Sequence, residues 1–171
     1  MSRKKNADHP LMYKIVMLCA GLLLGLILTR IFFFTMAVDT ESMKPNLMKG
    51  DRIFLSRLSS PAKGDIVAVE SPHDRGKLLL SRLIASEFET VEIRNRVVYI
   101  NDKAARFSWP VLKNEGPVYP MKFTCRDNMP PVKLGRGEFF ILGDNFDASY
   151  DSREFGAVPE NLVEGTVIYK K

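Results

Sequence analysis

Fifteen consecutive residues, "IVMLCAGLLLGLILT" at 15–29, carry no charge, and apolar character resumes past Arg30 in "IFFFTMAV". A helix of about 20 apolar residues crosses the hydrocarbon core of a bilayer. The run from Tyr13 to Phe34 meets that length, provided that Lys14 and Arg30 near its ends reach for the two interfaces. A buried core helix is a poor fit, because nothing later in the chain could cover it on all sides. A cleaved signal peptide has a shorter apolar stretch and a small-residue site after it, and no clear A-x-A pattern follows here. "SRKK" precedes the run. The positive-inside rule therefore predicts a cytoplasmic basic tail at 1–12, a single transmembrane helix at 13–34, and an extracytoplasmic domain at 35–171 on the outer side of the cytoplasmic (inner) membrane.

The charge distribution agrees. Of the net +5, residues 1–14 contribute +3 through Arg3, Lys4, Lys5 and Lys14 against Asp8, which leaves a nearly neutral body. A basic tail on such a body is a topology signal and not a nucleic-acid surface. The two cysteines, Cys19 and Cys125, show neither metal-ligand spacing nor a disulfide framework, and a membrane anchor separates one from the other. The expected partner of the anchor is the lipid bilayer.

Past residue 38 the pattern turns to short strands. "DRIFLSRL" and "GDIVAVES" alternate apolar and polar residues behind turn signals, and "KLLLSRLIA" follows as a further strand. "TVEIRNRVVYIND" reads as a hairpin turning at Arg94-Asn95-Arg96, and "GEFFILGDN" and "NLVEGTVIYKK" close the chain. No long helical period appears after residue 38, so a mainly β, antiparallel domain is expected. Residues 104–136 collect Pro110, Pro117, Pro120, Pro130 and Pro131 with Gly116 and Gly135, which predicts a small irregular insertion.

Two stretches can carry chemistry. Ser42 lies in "VDTESMKPNLMKGD", just past the apolar run. A serine hydroxyl becomes a useful nucleophile only beside a base. Of the two histidines, His9 falls in the basic tail and His73 in the loop "SPHDRG", so lysine is the remaining choice. The second stretch is "GDNFDASYDSREFG" at 143–156. Its Asp-rich spacing superficially suggests a Ca²⁺ loop, but the closing Glu is out of register, and carboxylates pinning Arg153 fit better. No metal or other cofactor is called for.

Taken in order, these segments resemble the type I signal peptidases, membrane-anchored serine proteases with a Ser–Lys dyad. "ESMKPNL" resembles the family's nucleophile box and implies Ser42 as nucleophile, with Met43 and Pro45 shaping the turn and the substrate side. "GDNFDASYDSREFG" resembles a second box almost position for position. It implies that Ser149 bonds the dyad lysine, that Asp151 and Arg153 form a supporting ion pair, and that Asp144 supports the site. The resemblance implies signal peptides of exported preproteins as substrates, and an antiparallel signal-peptidase-type β fold.

One box departs. In "SRLIASEFETV", Arg82 holds the family's arginine position, but the general-base lysine position is Ser81, and Ala85, Glu87 and Phe88 replace Gly, Pro and Gly. A serine hydroxyl is no effective base. Lys77, four residues earlier and on the same face of a straight strand, lies about 13 Å from Ser81 along it. It substitutes at that position only through a bulge or shifted register. Glu41, before the nucleophile, stands where the family has a small residue. Two functions follow: a membrane-bound endopeptidase removing signal peptides with an altered base, or an inactive homologue that binds signal peptides or a membrane partner without cutting.

Overall fold

A computed structural model of the chain describes residues 10–112, 116–122 and 124–171. The chain divides into two units, Met1–Phe34 and Thr35–Lys171.

In the first unit, helix α1 runs Pro10–Phe32. It starts earlier than predicted and gives way to strand at Phe33. Leu11–Phe32 is long and apolar enough to cross a membrane, and none of it is buried by the protein. A helix apolar on every side and uncovered by protein suits lipid, not water. The hydroxyl of Thr29 donates back to the Gly25 carbonyl at 2.8 Å, so this polar group brings no unmet hydrogen bond into the apolar run.

Beyond α1 the strands form two sheets. The larger has seven strands: β1 (Phe33–Ala37), β2 (Arg52–Ser56), β3 (Ile66–Glu70), β4 (Leu78–Ala85), β9 (Glu138–Leu142), β10 (Val158–Pro159) and β11 (Val163–Lys170), in the order β1-β2-β11-β3-β4-β9-β10. The smaller has β5 (Thr90–Arg94), β6 (Val97–Ile100), β7 (Lys103–Ala104) and β8 (Met129–Lys133), ordered β7-β6-β5-β8. The registered pairs are antiparallel, including β3 with β4 and β4 with β9. This is the mainly β, antiparallel class expected.

The strands β4 and β9 are buried on both faces, which explains their near-continuous apolar runs. Leu83, Phe139 and Ile141 pack with Val67, Val69 and Val158 on one face. Ile84, Phe140 and Leu142 pack with Val91, Ile93, Val98 and Phe146 on the other, joining the two sheets. The predicted hairpin is β5–β6, with Asn95 and Arg96 at φ 48 and 65 in a two-residue turn. The insertion is largely irregular, but its last part forms β8 despite Pro130 and Pro131. Edge strands tolerate proline, since no neighbour needs its missing N–H.

Candidate active site

Ser42 sits in the tight turn that follows β1. Met43 and Leu47 anchor this turn in the core, and the Leu47 N–H donates to the Met43 carbonyl at 2.9 Å. Met43 is fully buried, so it holds the turn from inside, while Pro45 lies on its exposed side. The base of the loop is closed by Val38 and Gly50: Val38 N–H donates to the Asp51 carbonyl at 2.9 Å, and Gly50 N–H to the Val38 carbonyl at 2.8 Å. Ser42 is 8% exposed. Its Oγ lies 3.0 Å from Thr40 Oγ1 and donates to the Leu80 carbonyl of β4 at 3.3 Å. Together with Thr40, Lys77, Leu79, Leu80, Ala148 and Tyr150 it lines a cleft of about 170 Å³.

The turn is held from below by the box that follows β9. The Asn145 N–H donates to the Ser42 carbonyl at 2.8 Å, and Asn145 Nδ2 to the Glu41 carbonyl at 3.1 Å. Asp144, buried, takes a two-pronged bond from Arg82, with Nε at 2.8 Å and Nη2 at 2.6 Å. The same carboxylate accepts from Asn46 Nδ2 at 2.8 Å. The third guanidinium nitrogen, Arg82 Nη1, donates to the Gly64 carbonyl at 2.6 Å, and the group lies 4.5 Å from the centre of the Trp109 ring. Arg82 and Asp144 thus brace the nucleophile turn without lining the cleft.

Asp151 fills a second bracing role. It accepts from Gly143 N–H at 2.9 Å and from Arg153 Nε and Nη2, both at 2.8 Å. These bonds and that of Ile141 N–H to Ser152 Oγ satisfy the free edge of β9 above β10. Gly143 is the pivot. A methyl group there would collide with Ser149 Oγ and sit 2.7 Å from the Ser42 carbonyl oxygen. Only a glycine lets Ser149 and the Ser42 backbone approach the same point.

The structure therefore brings Ser42, Ser149 and the Asp144–Arg82 and Asp151–Arg153 pairs together. Ser81 lies on β4 beside Leu80 and opposite Val67, 1% exposed. Among the described residues, the buried hydroxyls of Ser81 and Ser149 have no hydrogen-bond partner. An unmet buried polar group costs about 1–3 kcal/mol. Ser81 follows Leu80, whose carbonyl meets Ser42 Oγ, and Ser149 meets the Ser42 carbonyl at Gly143. The β3–β4 register is unshifted from Ile66↔Arg82 to Glu70↔Leu78, so no bulge carries Lys77 to the Ser81 position.

The other departures fall elsewhere. Glu87 accepts from Gly137 N–H at 3.0 Å, and Phe88 N–H donates to the Leu134 carbonyl at 3.0 Å in the turn between β4 and β5. Neither lines the cleft. Glu41 is engaged by Lys44 at 2.7 Å, and this hydrogen bond and charge hold its carboxyl below the usual range. Gly143 and Asn145 complete the site from within the second box, whereas Thr40 and Asn46 carry no signal of their own in sequence, since small polar residues are ordinary in turns.

Residues 11–170 match the family described as signal peptidase, peptidase S26. A signal peptidase I of Bacillus amyloliquefaciens is 33% identical over 150 residues, which cover 84% of this chain and 76% of that protein. A probable signal peptidase I-1 of Synechocystis sp. is 28% identical over 167 residues, covering 91% and 80%. Among solved structures, a signal peptidase I from Enterococcus faecalis is 32% identical, with a TM-score of 0.49, and covers 64% of this chain and 98% of that one.

Proposed function

The chain belongs to the signal peptidase family, peptidase S26, and on that premise we propose that it is a membrane-anchored serine endopeptidase removing N-terminal signal peptides from exported preproteins. The observation that carries the reading is the setting of Ser42. Its hydroxyl opens on a cleft, its carbonyl is tied down by Asn145, and Ser149 meets it across Gly143. Ser42 Oγ attacks the scissile carbonyl carbon, and the oxygen of that carbonyl becomes the oxyanion. The Ser42 N–H and the hydroxyl of Thr40, 3.0 Å from Ser42 Oγ, stabilise it in this reading. An extended signal peptide lies along the cleft beside β4, and its C–N bond breaks to leave an acyl-enzyme that water resolves. Arg82, Asp144, Asp151 and Arg153 keep the turn in position and touch no substrate. The proposed topology places the basic tail in the cytoplasm, α1 across the cytoplasmic membrane and residues 35–171 outside.

A serine, Ser81, at the family's base position favours a second reading, in which the cleft holds a signal peptide without cutting it. One experiment separates the two. The full chain in liposomes, incubated with a preprotein, is expected to release the signal peptide, and Ser42→Ala to release none. Equal cleavage by both would exclude chemistry at Ser42. Crosslinking of the preprotein to both, without any product, would establish the binding-only reading.

A further inference from the structure

Ser81 leaves the family's base position without an amine, yet the Ser42 cleft contains one. Its wall is formed by Lys77 and Leu79, which precede Ser81 at two-residue spacing and so share its side of the strand. Of the seven lining residues, Lys77 and Tyr150 alone are titratable, and Lys77 alone carries an amine. The carboxylate of nearby Glu70 is engaged by Gly76 N–H at 2.8 Å, and the Tyr150 hydroxyl by His73 Nδ1 at 2.9 Å. Among the described residues no side chain pairs with the Lys77 ammonium, and the residue is exposed.

We propose that Lys77 is the general base of this cleft, taking the proton of Ser42. The inference rests on the reading of Ser42 as nucleophile. The distance that matters is to Ser42, not to Ser81. Ser42 Oγ lies against the Leu80 carbonyl at 3.3 Å. Three residues of strand place the Lys77 Cα about 10 Å from Leu80. A lysine side chain of five single bonds extends about 6 Å. A hydrogen bond of about 3 Å, or one bridging water, closes the rest.

The steps balance. As Ser42 Oγ bonds to the scissile carbonyl carbon, its proton passes to the neutral Lys77 Nζ. As the C–N bond breaks, the resulting ammonium gives that proton to the departing amine nitrogen. Water then attacks the acyl-enzyme, yields a proton to Lys77 Nζ, and Ser42 Oγ leaves with it.

Steady-state preprotein cleavage by the full chain in liposomes tests this with five proteins: wild type, Ser42→Ala, Lys77→Met, Lys77→Cys and Lys133→Met. Lys133 is an exposed lysine on β8. Lys77→Met is expected to lower kcat by about 10²–10⁴-fold with KM little changed, while Lys133→Met keeps the wild-type rate. Alkylating the introduced thiol of Lys77→Cys with 2-bromoethylamine rebuilds an amine of nearly lysine length, and is expected to recover at least a tenth of the lost rate. Wild type treated in the same way controls for Cys19 and Cys125. If Lys77→Met cleaves like wild type while Ser42→Ala is silent, the Lys77 assignment falls and Ser42 stands. Loss in Lys77→Met that aminoethylation leaves unrestored makes Lys77 a structural residue and also overturns the assignment. No cleavage by wild type overturns both this inference and the reading beneath it.

Discussion

Asp144 joins three pieces of chain that are far apart in sequence: β4 through Arg82, the nucleophile turn through Asn46, and the insertion through the Leu112 N–H on its own carbonyl at 2.8 Å. Asp144→Asn keeps the shape but leaves the buried Arg82 guanidinium without its countercharge. Breaking a buried ion pair from one side costs about 3–5 kcal/mol. Urea unfolding at neutral pH is expected to show a loss of that order, and preprotein cleavage to fall with it; an unchanged midpoint would contradict the bracing role. Gly143→Ala tests the close approach directly. Its methyl group collides with Ser149 and with the Ser42 carbonyl, and such overpacking costs about 1–3 kcal/mol. The cleavage rate of Gly143→Ala is expected to fall by more than its thermal shift explains, because the displaced atoms belong to the site itself. Of these residues Asp144 was legible in sequence from its box, whereas Asn46 was not. An asparagine in a proline-containing turn looks the same whether it caps that turn or reaches a carboxylate from a distant strand.

Among the elements, the β5–β6 hairpin shows how a charge cluster fixes a turn. Arg96 adopts positive φ, which a large side chain enters at some cost, and its backbone N–H donates to the Asp127 carbonyl at 2.8 Å. The buried Asp127 carboxylate accepts from Arg96 Nε at 3.0 Å, Arg126 Nε at 2.9 Å and Tyr119 N–H at 2.7 Å. Burial alone would raise its pKa. The hydrogen bonds from Arg126 and Arg96 outweigh burial and hold it far below the usual carboxylate range. Because the folded-state value is the lower one, the stabilisation is complete above the unfolded value of about 4 and fades as pH falls from there. Asp127→Asn is expected to be less stable at pH 7 and to lose less on going from pH 5 to pH 2.5. Parallel urea midpoints for the two proteins across that range would rule the network out as an acid-sensitive element. The hairpin itself was legible because Asn95 lies between alternating apolar runs. Strand β8 was not, because paired prolines read as a break unless the strand is known to lie at a sheet edge.

For the whole molecule, the fold class and the anchor were legible because both rest on periodicity and length, which a single sequence displays. The cleft was not. It is assembled from residues 40–42, 77–80 and 148–150, and their meeting depends on the order β3-β4-β9. Sequence spacing alone measured Lys77 against Ser81, whereas the folded chain puts Lys77 and Ser42 in the wall of one cleft. The proposed topology makes a prediction at this scale. After alkaline carbonate extraction the chain is expected to stay with the membrane pellet. Protease added outside intact spheroplasts is expected to digest the body; protection of residues 35–171 there would invert the orientation.

Pro130 and Pro131 lie exposed on β8, at the rim of the smaller sheet, where the pairing to β5 shifts register. A protein confined to two dimensions meets its own copies far more often than one free in solution, and a bare sheet rim invites them to stack. A proline nitrogen facing the open side has no hydrogen to offer there, and the shifted register interrupts the row of donors an incoming strand would need. Such an edge is a poor template for a second copy of the strand.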